Sequence, residues 1–251
     1  VDPRRGTALV VAEAVLNLAC VGARPVALVN CLNFGNPEHP EVMWQLSEAI
    51  DGIAEACRAF EIPVVGGNVS LYNESSGFDI APTPVVGLVG VVDRLDGPPP
   101  GATLLEDHRL VLVGSDRVGL GGTQWGATRG APGGELVGLD PDLHLRLAGL
   151  VRHLVLARLV GGVHDLSAGG LGTALAEMAI RSGVGLHIAR VPDHRALFGE
   201  GPSRVVLAVH PDRLVEVLSA AEEAKVPAVR LGLATGDRFV VKDLVDLPLA
   251  V

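Results

Sequence analysis

Pro63-Val64-Val65-Gly66-Gly67-Asn68-Val69-Ser70-Leu71-Tyr72-Asn73-Glu74-Ser75 carries a short apolar run into two glycines, an amide and two hydroxyls. Ile62 to Val65 reads as a buried strand, and the polar residues after it as the loop into which that strand runs out. Glycines in such a place let backbone N–H groups close on a ligand without a Cβ in the way, and an Asn oxygen beside them can ligate a hard cation such as Mg²⁺. The same residues also suit a strand-exit turn with Asn68 in a left-handed conformation. The GxxxxGK[ST] pattern of a P-loop is absent.

Upstream, Thr7 to Cys20 is apolar on nearly all sides, interrupted only by Glu13 and Asn17, which predicts a helix packed within a domain and stopped at Gly22. Arg24 to Leu32 reads as a strand that ends in Asn33-Phe34-Gly35-Asn36-Pro37. From Pro40 a second helix is expected to bury Val42, Leu46, Ile50, Ile53 and Cys57 on one face. Pro84 to Val92 reads as a further buried strand. Asp96-Gly97-Pro98-Pro99-Pro100-Gly101 cannot be regular structure and marks a domain boundary between residues 1–96 and 102–251.

Beyond it the spacing predicts a strand at Arg109 to Val113, a glycine-rich flap around Gly119 to Thr123, and helices at Pro141 to Leu159 and Ser167 to Ser182. Strands near Gly185 to Ala189 and Arg204 to His210 follow, then a helix from Pro211 to Ala224 and strands at Ala228 to Leu233 and Arg238 to Val241. Helices and strands alternating in both halves indicate an α+β fold with α/β layering.

At 251 residues and 48% hydrophobic, the chain can bury a full core. A net charge of -9 without a dense Lys/Arg run argues against nucleic acid or an anionic membrane as partner. Cys20, Cys31 and Cys57 lack CxxC spacing and read as buried free thiols of a reducing, cytoplasmic compartment. No apolar run is long enough to span a membrane, and the opening Val1 to Gly6 is not followed by a signal-type segment.

Several polar clusters stand out beside Gly66 to Ser70. Asn30 to Pro37 places three amides at another strand end, where ligands gather in layered folds, although a plain turn explains them too. Glu13 and Asn17, four apart, share a helix face as a solvated stripe or as oxygen ligands for Mg²⁺. His164-Asp165-Leu166-Ser167-Ala168-Gly169-Gly170-Leu171 precedes a helix, with Ser167 as N-cap or the glycines open to a phosphate. A His-Asp-Ser hydrolase is disfavoured, since residues this close in sequence seldom converge as a relay and no GxSxG elbow exists. Trp44 and Trp125 read as packing residues.

Taken together, Asn30 to Pro37, Gly66 to Glu74, His164 to Leu171 and Leu197-Phe198-Gly199-Glu200-Gly201-Pro202-Ser203-Arg204 resemble the synthetase subunit of the phosphoribosylformylglycinamidine synthases, small bacterial type, over almost the whole chain. The last two motifs are shared widely with aminoimidazole ribotide synthetase, selenophosphate synthetase and thiamine monophosphate kinase; the first two are more specific. The resemblance implies an aminoimidazole ribotide synthetase-like N-terminal-type domain, incomplete at its start, followed by its C-terminal-type α/β domain. It implies a purine-biosynthesis ligase that uses ATP, Mg²⁺ and glutamine-derived ammonia to convert formylglycinamide ribonucleotide to formylglycinamidine ribonucleotide.

By position, Asn30 and Gly67 would contact ATP, Asn68 would ligate Mg²⁺ and Ser70 would bind the small-molecule substrate. Many relatives carry Asp at Asn30, and the neutral amide here suits hydrogen bonding better than holding a cation. Glu13, Asn17, Asp165 and Ser167 would line an auxiliary nucleotide and metal site. The family duplicates this domain pair and the chain matches the second copy, so no catalytic residue is assigned and the chain alone is expected to be inactive. Its partners would be the N-terminal half of the same polypeptide, a glutamine amidotransferase subunit and a small accessory subunit.

Overall fold

The computed structural model describes residues 2–249. Asp2 caps the first helix, α1 (Pro3–Cys20), by accepting from the Arg5 amide, and Pro3 occupies the first turn where no N–H is required. Strand β1 (Arg24–Asn33) follows, then α2 (Pro40–Ala59), β2 (Val64–Ser70), a small hairpin of β3 (Glu74–Ser75) and β4 (Phe78–Asp79), and β5 (Thr83–Val91). These strands form a three-stranded sheet in the order β2-β1-β5, with β1 parallel to β2 and antiparallel to β5.

One face of this sheet is closed. Leu28 and Leu32 of β1 pack with Val11, Ala12 and Val15 of α1 and with Val42, Leu46, Ala49 and Ile53 of α2. The two helices touch at Gly52, where a Cβ would lie 2.1 Å from the Arg4 carbonyl oxygen, and Thr7 Oγ1 donates to the Ala49 carbonyl at 3.0 Å. The other face is bare. Val29 (40%), Val85 (52%), Val89 (54%) and Val91 (42%) remain exposed on it.

Four sequence expectations change here. β5 is half-open rather than buried because no layer covers its second face, and the edge strand β2 is exposed on both faces, with Val64 and Val69 open even on the helix-facing side. Ile50 points to solvent while Ala49, Gly52 and Ala56 face α1, since close helix approach needs small side chains. Trp44 is 55% exposed and is not a packing residue, and Cys31 is only partly buried, unlike Cys20 and Cys57.

After the irregular segment around Pro98 to Pro100 come β6 (Arg109–Gly114), a short α3 (Gln124–Thr128) within the flap, α4 (Pro141–Leu156), β7 (Gly162–Asp165) and α5 (Gly170–Ser182). Then follow β8 (Leu186–Ile188), α6 (His194–Phe198), β9 (Arg204–Val209), a 3₁₀ turn leading into α7 (Leu214–Glu223), β10 (Ala228–Ala234), β11 (Arg238–Val241) and β12 (Val245–Pro248). The seven strands order as β12-β11-β8-β10-β6-β9-β7. Alternate residues of β6 and β9 serve two cores. Val111, Val205 and Leu207 pack with Leu147, Val151 and Leu154 of α4 and with Val217 of α7, whereas Leu110, Val206 and Ala208 pack with Leu171, Leu175 and Met178 of α5.

Helix α1 belongs to both halves, which accounts for its apolar circumference. Leu16, Ala19 and Cys20 join the α4 core, while Val11, Ala12 and Val15 join the α2 core. At the seam, fully buried His144 of α4 contacts the Ala12 carbonyl through Nε2 (3.0 Å) and Ser203 Oγ through Nδ1 (2.9 Å). A carbonyl only accepts, so Nε2 carries the proton, Nδ1 accepts, and the Ser203 hydroxyl donates to it.

Burial pushes the His144 pKa down to about 4. The unfolded chain, with an ordinary imidazole near 6.5, therefore binds a proton that the folded chain refuses between those values, and stability falls with decreasing pH across that window. The slope from this group is about 1.4 kcal/mol per pH unit. Melting temperature should drop more steeply from pH 6.5 to 4 in the native chain than in His144→Gln; parallel profiles would contradict the assignment. At the helix crossing, Gly52→Ala should cost about 1–3 kcal/mol in chemical denaturation by overpacking, and an unchanged midpoint would show that the helices separate freely.

Candidate functional site

The residues expected to act together fall into two places. In the first, register sets Asn30 beside Gly67, Cys31 beside Asn68 and Asn33 beside Ser70 across β1 and β2. Asn30 alternates with Leu28 and Leu32, so it lies on the helix-facing side, and its Oδ1 fills the space where a Gly67 Cβ would be, 2.2 Å away. Glycine is required there for that reason. It is not required for a turn: Gly66 and Gly67 are not among the positive-φ glycines, Asn68 is not left-handed, and the motif forms part of the strand itself. The backbone leaves the extended conformation only at Tyr72 (φ 59).

Asn68 faces the bare side. Its Nδ2 has only a weak 3.8 Å approach to Cys31 Sγ, which leaves the amide oxygen without a protein partner among the described residues. Ser70 Oγ lies in a network with Asn73, whose Nδ2 donates to the Ser70 carbonyl (2.9 Å) and the Phe34 carbonyl (3.0 Å). Asn33 Nδ2 donates to the Thr83 carbonyl at 3.1 Å. Asp79 accepts from the Asn36 amide (2.7 Å) and pairs with His39 (2.6 Å), which fixes the turn beyond β1. The Asn36 amide and His39 hold the Asp79 carboxyl below its ordinary range.

The second place is the seam between α1 and β7. Asn17, with its amide nitrogen turned toward Asp165, donates to both carboxylate oxygens at 3.0 and 3.3 Å. Glu13, Asp165, Ser167 and Glu200 line a pocket of about 210 Å³ that extends under Gly121 and Gly122 of the flap. Desolvation at the seam raises the Glu13 pKa, and the negative charges of Asp165 and Glu200 raise it further. His164 is pushed up to about 9 by its hydrogen bonds to Asp165 and to Glu177, so it is a cation at neutral pH and sits against Asp165.

Ser167 is not the cap of α5. Gly169, at φ 80, takes that position, and its amide donates to Glu200 Oε1 at 2.8 Å. The same oxygen accepts from the Gln124 amide at 2.8 Å, so one carboxylate ties the flap to the start of α5. It occupies the position a phosphate would take at that helix start. Glu200 is the participant that motif reading did not single out; its proximity to Gly169 depends on β9 lying beside β7.

Magnesium prefers several hard oxygen donors. Among the described residues no group of three or more His, Cys, Asp or Glu side chains could hold a metal ion. Asn68 offers one neutral oxygen on the bare side, whereas Asn30 and Gly67 lie on the opposite, helix-facing side, where Asn30 Oδ1 occupies the space beside Gly67. A metal-bound phosphate held there would need oxygen donors beyond this single amide. No helix among the described residues is long and apolar enough to cross a membrane.

Comparison with known proteins agrees with this architecture. The profile of the AIR synthase related protein, N-terminal domain, matches residues 1–92, and that of its C-terminal domain matches residues 106–243. The phosphoribosylformylglycinamidine synthase subunit PurL of Moorella thermoacetica is 43% identical over 96% of this chain and 33% of its own length. That of Thermomicrobium roseum is 45% identical over 99% of this chain and 35% of its own. The chain thus spans about a third of the length of the curated relatives it matches. T. maritima PurL complexed with FGAR shares the fold at TM-score 0.77 and 20% identity, covering 99% of this chain and 43% of that one. Hydrogenase maturation protein HypE shares it at TM-score 0.64 and 20% identity, over 92% of this chain and 74% of that one. With both domain profiles matched in order across two layered α/β units, the chain belongs to the AIR synthase related family.

Proposed function

We propose that the chain forms the C-terminal half of an ATP-dependent ligase of purine biosynthesis that converts formylglycinamide ribonucleotide, ATP and glutamine-derived ammonia to formylglycinamidine ribonucleotide, ADP and phosphate. Its main support is the bare side of the β2-β1-β5 sheet, where Asn68 and Ser70 stand beside uncovered valines at an edge strand. PurL relatives that match the chain nearly end to end, and PurL structures complexed with FGAR and ATP, give that surface a substrate class.

In this role Asn30 and the Gly67 backbone bind the nucleotide, Asn68 ligates Mg²⁺ and Ser70 binds the substrate. Magnesium, when bound, neutralises charge on the transferred phosphoryl group. The chain's own residues position rather than transfer protons, and positioning is a large part of the barrier in such reactions. Residues 1–96 and 102–251 act as the two domains of this half. The N-terminal half of the same polypeptide closes the valine face, and covering each half-exposed valine there is worth about 1 kcal/mol. A cytoplasmic assembly with a glutamine amidotransferase subunit and a small accessory subunit follows from the same role; a structure of PurLQS from T. maritima has the same fold at TM-score 0.71.

Mixing the chain with a separately produced N-terminal half should yield ADP formation that depends on formylglycinamide ribonucleotide and ammonium salt, with neither half active alone. Asn68→Ala should lower that turnover by at least about tenfold without changing the melting temperature. Full turnover in the variant would remove Asn68 from the metal shell.

A second role rests on the seam. Glu13, whose proton affinity is raised by burial and by the charges of Asp165 and Glu200, lines one pocket with Asp165 and Ser167, and this supports reading Glu13, Asn17, Asp165 and Ser167 as an auxiliary nucleotide and metal site. Calorimetry with Mg-ADP should give heat that Asp165→Ala abolishes. No heat from the native chain at millimolar nucleotide would leave the seam a structural joint.

A further inference from the structure

The outer side of the seven-stranded sheet is covered unevenly. Helices α4 and α7 pack over β6 and β9, but β8 and β11 lie beyond them. Leu186 and Ile188 of β8, with Phe239 and Val241 of β11, point into the α5 core, so the intervening His187 and Val240 face the uncovered side. A groove of about 610 Å³ runs there, with Leu233 and Val240 in its aliphatic floor and His187, Arg190, Arg230 and Lys242 around it. That volume is in the range of small-molecule sites.

None of its lining residues is acidic. In a chain of net charge -9 this segregation is unexpected. The antiparallel register of β8 with β10 sets Leu233 opposite His187 and Gly232 opposite Ile188, and the Ala189 amide donates to the Leu231 carbonyl at 3.0 Å, which carries Arg190 beside Arg230. The Lys242 amide donates to the Ile188 carbonyl at 2.9 Å, which brings Lys242 to the other flank. Arg230 on β10, Arg190 just past β8 and Lys242 just past β11 therefore bring three permanent cations to one groove, on strands about 10 Å apart from first to last.

Like charges on neighbouring strands repel. Elsewhere this chain relieves such charges: Arg238 on β11 pairs with Asp246 (2.7 Å) and Arg152 with Asp93 (2.6 Å). Among the described residues, Arg190, Arg230 and Lys242 have no carboxylate in ion-pair contact. Two guanidinium forks and an ammonium in one groove match the oxygens of linked phosphates.

We propose that this groove binds a polyphosphate chain, inorganic or carried by a nucleotide, at a site separate from the Asn68 surface and from the seam at β7. Calorimetry at low salt with sodium tripolyphosphate, without Mg²⁺, should show one-to-one submillimolar binding. The double variant Arg190→Ala/Arg230→Ala, melting as the native chain does, should bind at least tenfold more weakly, while the control Arg24→Ala/Arg58→Ala keeps native affinity. ATP binding tighter than tripolyphosphate, with the same loss in the groove variant, identifies a nucleotide; equal affinities identify the phosphate chain alone. Absence of heat with the native chain, or equal loss in the control variant, would overturn the proposal.

Discussion

A β-sheet must bury at least one apolar face, and the β2-β1-β5 sheet offers two while the chain covers only one. On the bare side, valines alternate with small residues, Ala27, Gly66, Gly87 and Thr83, which gives a smooth surface on which another layer can lie close. Isolated exposed apolar residues mean little, but a contiguous valine strip on β1 and β5 is a surface that the proposed N-terminal half would cover. Asn68 and Ser70 lie on the same side as this strip, so the polar chemistry and the missing cover share one boundary.

Helix α1 governs the other half of the arrangement. Because it is packed between α2 on one side and α4 with β7 on the other, its few polar residues have only a narrow outlet, and Glu13 and Asn17 emerge there against Asp165. His144 fixes the relative height of the two units through its bonds to Ala12 and Ser203. The Ser203 end lies three residues from Glu200, whose carboxylate ties down both Gln124 and Gly169. A displacement at the seam would thus reach the flap through directly bonded groups.

Much of this was legible in the sequence. The nearly complete apolar circumference of α1 predicts a helix packed within a domain, as it is between α2 and α4. What periodicity could not report was which sheet face stays uncovered: an open valine face and a buried one have the same composition. For that reason the sequence predicts buried strands at β2 and β5 and a loop at Gly66 to Ser70, which is an exposed edge strand. Ser167 has the chemistry of a cap, yet left-handed Gly169 and Gly170 delay the helix start beyond its reach. The partnership of Glu200 with Gly169, and the grouping of Arg190, Arg230 and Lys242, arise from strand order, which no local pattern encodes.

Cys31 gives direct access to the bare face. Burial raises the pKa of Cys20 and of Cys57, which keeps both thiols protonated and enclosed, whereas Cys31 is half-exposed beside Asn68. If the open sheet is the surface that the N-terminal half completes, alkylation should proceed at Cys31 alone, and adding that half should slow it at least about tenfold as the thiol leaves solvent. An unchanged Cys31 rate in a mixture that has demonstrably assembled would contradict the account.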